Sequence, residues 1–198
     1  GTTLASLSHD ERCRLLEERL KASSRVFASI EPPPGATVID VFAAPEYLFA
    51  ASAITHFVDV ATKDRILEKL TQMSERHPGI LLFPGTIAWK KPMKESGAFG
   101  KNRSKSAYRR LAVMTTTHAV GKGNYDQHKE RLDQAREERT LKGTFFAQNT
   151  AYVMRAGRLV LKYHKVADGG EVFKEDREDG MVIWVPGERK AAFSVDGL

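Results

Sequence analysis

Cysteine is almost missing from this chain: Cys13 is the only one among 198 residues. That excludes a disulfide within the chain and any cysteine-rich zinc site. The scarcity fits a reducing, cytoplasmic setting. Long hydrophobic runs are missing as well. None approaches the roughly 20 residues that cross a bilayer, so no membrane partner is expected. The first residues lack a basic stretch followed by an apolar one, so no signal peptide is read there. His56, His118 and His128 are not spaced as metal ligands. The acidic loop 168–180 lacks the EF-hand pattern. No metal and no cofactor are expected.

What is present suits a globular domain. Hydrophobic residues make up 41% of the chain and charged residues 28%, which is ordinary for a protein that folds around one core. The length matches one domain. The net charge of +6 is local. Residues 101–142 hold 11 Lys or Arg against 5 Asp or Glu, an excess of 6 that equals that of the whole chain. The basic character therefore belongs to one segment and needs a local explanation.

Ser8 followed by Glu11 predicts a capping box, and Leu15, Leu16 and Leu20 recur at helical spacing. A first helix is expected over 9–22, with Cys13 inside it on a half-buried face. Three prolines and Gly35 then break regular structure before an apolar strand at 37–42. Thr62 is read as the cap of a second helix whose Ile66, Leu70, Met73 and His77 mark one face, stopped by Pro78 and Gly79. A buried strand at 80–83 follows, closed by Pro84 and Gly85. Strand, helix, strand in this order predicts a layered α/β unit. Residues 90–143 read as a basic insertion with a short strand near 111–117. Its helix at 125–141 is polar nearly all round, as in a solvated or partner-bound helix. Strands are expected again at 149–155 and 159–164, joined by a turn at Ala156 and Gly157. Two more are expected at 182–185 and 191–195.

Two strand ends carry the residues with chemical potential. Ala43-Ala44-Pro45-Glu46-Tyr47-Leu48-Phe49 places a carboxylate at one of them, and Leu161-Lys162-Tyr163-His164-Lys165-Val166 places an ammonium at another. Leu81-Leu82-Phe83-Pro84-Gly85-Thr86 lies between them. Asn149-Thr150-Ala151-Tyr152-Val153 and Gly157 precede the lysine segment, and Pro186-Gly187 comes ahead of Phe193-Ser194-Val195-Asp196-Gly197. In this order the segments resemble the N-terminal portion of a nitrilase-superfamily (carbon–nitrogen hydrolase) domain. The resemblance covers most of the chain outside the basic insertion.

The resemblance implies an α/β fold, the N-terminal part of a four-layer α-β-β-α sandwich. It implies acyl transfer from an amide or nitrile substrate through a cysteine thioester, with Glu46 as general base and Lys165 as oxyanion stabiliser. A second glutamate beyond the lysine belongs to the pattern; Glu171 fits it best, with Glu175 next. The nucleophilic cysteine is expected just past Gly197, beyond the last residue here, and Cys13 is not its equivalent. The chemistry accounts for these residue types. A thiol with pKa near 8.5 needs a base to become a nucleophile. A carboxylate in an apolar cleft titrates higher and suits proton transfer near neutrality. A fixed cation stabilises an oxyanion most where water is excluded.

Other readings stand beside this one. The scaffold could serve as a catalytically dead binding or regulatory module. The basic insertion reads as a solvated excursion, as a pocket or oligomer contact, or as a phosphate-binding surface. Arg103, Lys105, Tyr108, Arg109 and Arg110 interleave charge with an aromatic, as RNA binders can. The acids within 125–141 weaken that field, so nucleic acid is disfavoured as a partner. His164 is expected to point away from Lys165 by strand alternation. A partial sandwich would leave a sheet edge and an apolar face open. Self-association, or association with the missing C-terminal part, is therefore expected.

Overall fold

The computed structural model describes residues 4–51, 57–93, 109–110, 112–113, 125–137, 144–167 and 181–187. These residues have an α/β architecture: three long α-helices, a short 3-10 turn at Leu4–Ser6 and a six-stranded mixed sheet.

Helix α1 spans His9–Phe27. Ser8 caps it as expected: the Glu11 amide donates to Ser8 Oγ at 3.2 Å, and the Ser8 amide donates to Glu11 Oε2 at 2.7 Å. The helix runs past Ala22 because the two serines that follow do not stop it. Ser24 donates its hydroxyl back to the Leu20 carbonyl at 2.9 Å, inside the helix. The buried stripe is Cys13, Leu16 and Leu20. Strand β1, Asp40–Ala43, is shorter than expected and ends one residue later. It pairs in parallel with β2, Ile80–Phe83, from Asp40 opposite Ile80 to Ala43 opposite Phe83.

Helix α2, Val60–Arg76, lies between them. Its cap is Asp59 rather than Thr62. The carboxylate accepts from the Thr62 amide at 2.7 Å, which makes Thr62 the third helical residue. Ile66, Leu70 and Met73 face inward as expected, whereas His77 is the terminating residue. His77 contacts Ser24 Oγ through Nδ1 at 3.2 Å and so links the two helices. Both helices cover one face of the sheet, where they bury Leu20, Ile66, Leu70, Leu82, Ile87, Tyr152 and Met154 in the main core.

Strand β3, Thr86–Pro92, was not foreseen. Its Lys90-Lys91-Pro92 end reads as the start of the basic insertion, yet Lys90 pairs with Ala147 and Pro92 with Phe145. Strand β4, Thr144–Arg155, is the spine. On one side it meets β3 and then β2; on the other it meets β5, Arg158–His164, and β6, Met181–Trp184. The β4–β5 hairpin turns at Ala156 and Gly157, both left-handed (φ 48° and 73°), as a two-residue hairpin requires.

Helix α3, Tyr125–Glu137, is not polar all round. Tyr125, His128, Leu132 and Ala135 form a buried stripe, and Tyr125, Leu132 and Ala135 pack with Met93 and Ile183. The flanking charges hide this stripe in the sequence. Ala112 and Val113 are helical rather than extended; the rest of the expected strand at 111–117, and that at 191–195, lie outside the described residues. Among the described residues no helix is long and apolar enough to cross a membrane.

Candidate active site

Glu46 sits in the turn just after β1. Its placement is built from both sides. The Ala44 amide donates to the Phe83 carbonyl at 2.8 Å, which holds the chain against β2 as it leaves the sheet. The buried side chains of Leu48 and Phe49 then anchor the turn in the main core. Arg12, itself buried in α1, donates to the carbonyls of Leu48 (3.1 Å) and Ala50. The Glu46 carbonyl accepts from both the amide and the hydroxyl of Thr86, each at 2.9 Å. Gly85 permits this approach: at φ 86°, a Cβ there would lie 2.3 Å from the Pro45 carbonyl oxygen.

Lys165 follows β5 directly. Its amide donates to the Asn149 carbonyl at 2.8 Å, and its carbonyl accepts from the Gly187 amide at 3.1 Å. The next carbonyl, Val166, accepts from Trp184 Nε1 and Tyr125 Oη, both at 3.2 Å. Gly187 is again set by close approach, since a Cβ would fall 1.8 Å from the His164 carbonyl oxygen.

These two frames bring together residues 119 positions apart. Lys165 Nζ lies 3.3 Å from Glu46 Oε1 and 6.0 Å from the ring centroid of Tyr47. Asn149, fully buried on β4, directs Nδ2 toward the same Glu46 oxygen at 3.5 Å. Its Oδ1 is buried and has no partner among the described residues. The side chains of Lys165 and Glu46 are 34% and 46% exposed. The apolar cleft expected around the base is therefore not closed by the described residues. Asn149 was not foreseen as part of a site. It lies in the polar run Gln148-Asn149-Thr150, inside a strand that is otherwise mostly apolar, and nothing in that run marks Asn149 over its neighbours.

Glu171 and Glu175 lie outside the described residues. Cys13 is in the core between α1 and the sheet, and burial pushes its thiol up to about 11. It stays protonated at neutral pH and does not supply a nucleophile. His164 turns to the opposite face from Asn149, as alternation expects: its Nδ1 contacts Thr150 Oγ1 at 2.8 Å. His128 is buried, and its Nδ1 accepts from the Trp184 amide at 3.2 Å, a structural role. Among the described residues no three His, Cys, Asp or Glu side chains cluster as a metal site needs.

A carboxylate and an ammonium just beyond two strand ends, with a buried amide from the middle of β4 beside them, can together accept a proton, stabilise an oxyanion and orient a planar polar group. Thioester chemistry at this site would need a thiol from elsewhere, since Cys13 lies in the core. Comparison with protein-family models, curated proteins and solved structures finds no match to this chain.

Proposed function

We propose that this chain is part of a carbon–nitrogen hydrolase of the nitrilase type. In this reading it contributes Glu46 as base and Lys165 as oxyanion stabiliser, to act with a cysteine supplied from outside these residues. The observation that carries the reading is the meeting of Glu46 and Lys165 at 3.3 Å across 119 positions of sequence. The order of segments resembling that family supports it, and so does Asn149 beside the pair. The substrate class is a small amide or nitrile. Glu46 would take the thiol proton as the sulfur attacks the acyl carbon. With an amide, Lys165 would face the oxygen that becomes negative, Glu46 would pass its proton to the nitrogen as the C–N bond breaks and the amine leaves, and water would then cleave the thioester to the acid and the free thiol. The second glutamate, Glu171, belongs to the same proposal, as does the four-layer sandwich. In the same proposal, association with a second copy or with a cysteine-bearing segment is supported by β1. Among the described residues it pairs only with β2, and it leaves Val41 48% exposed.

The alternative is a binding or regulatory module that has lost the chemistry. It is favoured by one observation: the only thiol in the chain is Cys13, buried and held protonated.

The test is intact-mass analysis of the protein from its native source, followed by alkylation with iodoacetamide at neutral pH. The expected result is a longer chain or a companion chain with one fast-reacting thiol other than Cys13. Its alkylation should slow by at least about tenfold in Glu46→Gln, the loss of a positioned base. A native mass equal to these 198 residues, with no companion chain, overturns the reading in favour of the binding module.

A further inference from the structure

The face of the sheet opposite Glu46 carries a second feature. A cavity of about 400 Å³ opens between the start of α2 and strands β3, β4 and β5. Four cations reach it: Lys63, Lys91, Arg110 and Lys162. His164 and Trp89 complete the part of its wall that matters here, and none of the described residues lining it is acidic. It is separate from the proposed catalytic pair. Asn149 and Thr150 are consecutive on β4, as are His164 and Lys165 at the end of β5. The first of one pair and the second of the other point to the Glu46 side, and Thr150 and His164 point to the cavity.

Among the described residues the wall of this cavity is cationic. Lys63 is the most compensated, with Asp64 Oδ1 at 2.6 Å and the Trp89 ring centroid at 5.1 Å. Arg110 donates to the Pro186 carbonyl at 3.3 Å, which holds its guanidinium at the cavity wall. Among the described residues, the cations bordering this small space outnumber the one carboxylate shown beside them, Asp64. Such a space is comparable with the Debye length of about 8 Å at physiological salt, so solvent ions screen the repulsion poorly. The positive end of the α2 dipole adds to the field, because Val60 in the first turn also lines the cavity. The field is registered by its neighbours. Burial, then Lys162, Arg110 and Lys63, push His164 down to about 4. Burial, then Lys63, lower Lys162.

We propose that this cavity binds a phosphate-bearing small-molecule anion, held by Lys63, Lys91, Arg110 and Lys162 beside the indole of Trp89. A concave site of this volume is in the range that encloses a small ligand. A surface for single-stranded nucleic acid would instead be an open track of cations with exposed rings. Trp89 does not offer such a ring. Its Nε1 donates to Thr150 Oγ1 at 3.0 Å, and Lys63 covers its face. The proposal goes beyond the acyl-transfer reading and does not depend on it.

The experiment is calorimetric titration of the intact chain with inorganic phosphate, pyrophosphate and AMP at low salt. NMR of the His164 ring follows the same titrations. The expected result is 1:1 binding of pyrophosphate or AMP that weakens steeply with salt, with a rise in the His164 pKa on saturation. Lys162→Gln and Arg110→Gln should each weaken binding by at least about tenfold, as for the loss of a charged hydrogen bond. Arg14→Gln and Lys21→Gln, on exposed parts of α1, serve as charge controls and should leave it unchanged. Comparing phosphate with AMP shows whether the ring contributes. The proposal is overturned if none of the probes binds, or if the control variants weaken binding as much as the cavity variants. It is also overturned if single-stranded RNA binds far more tightly per charge than any small probe.

Discussion

The two faces of the β4–β5 hairpin handle charge in opposite ways. On one face Glu46 and Lys165 form an opposite-sign pair, partly open to water, with a buried amide behind it. On the other, like charges converge on a half-buried histidine that they help keep neutral. Residues adjacent in sequence belong to different faces, Lys165 to the first and His164 to the second. Identity of residue type therefore says little here. What distinguishes the sites is which carboxylates the fold brings within reach. The paired face has a carboxylate that arrives from β1 over a long sequence separation. Among the described residues, the cationic face shows one flanking carboxylate, Asp64, beside Lys63.

The largest disruption of the paired face should come from Gly85→Ala. The left-handed φ of 86° and a Cβ at 2.3 Å from the Pro45 oxygen are both incompatible with alanine unless the Glu46 turn shifts. A loss of about 3 kcal/mol or more is expected in urea unfolding. Gly79→Ala, where a Cβ meets nothing within 4 Å, should be tolerated. Equal effects at the two positions would show that the turn is not held as described.

The cationic face should respond next, to pH. His164 is pushed down to about 4 from 6.5, so the unfolded chain binds its proton more readily than the folded one. Stability contributed by the neutral ring is complete above about pH 6.5 and is lost as pH falls toward 4. Partial exposure of the ring limits the effect to roughly 1–2 kcal/mol. His164→Gln should flatten the unfolding free energy between those pH values relative to the parent chain. An unchanged slope would place the titration elsewhere.

A smaller gain is expected from Lys162→Met. Burial and Lys63 disfavour the charged amine there, so its removal should raise stability by about 0.5–1 kcal/mol at low salt and less at high salt. A destabilised variant would mean that the Lys162 stem packs more than its charge repels.

Local signals explain which parts of this were legible in sequence. The Ser8–Glu11 capping box, the Ile66–Leu70–Met73 stripe and the Ala156-Gly157 turn each act over a few residues, and the structure has all three. The helical face of α3 was missed because its stripe of Tyr125, His128, Leu132 and Ala135 is built from polar, aromatic and small residues. Strand β3 was missed because Lys90 and Lys91 pair by backbone with β4, and backbone pairing leaves no mark on side-chain type. Glu46 and Lys165 could be singled out from the segments around them. Asn149 and the cationic cavity could not, because both depend on which strand lies beside which.

The smallest expected effect separates a structural ion pair from a functional one. Glu46→Gln and Lys165→Met remove partners that are 46% and 34% exposed at 3.3 Å. A pair so open to solvent contributes within about 0.5 kcal/mol, since water screens the attraction and fixing both side chains opposes it. Each single variant should therefore unfold at nearly the parent urea concentration, and so should the double variant. A pair kept for stability would show a coupling energy in that cycle well above this value. A near-zero coupling, together with the frame built around the pair by Arg12, Thr86, Gly85 and Gly187, would mean that the fold holds Glu46 and Lys165 in place for something other than its own stability.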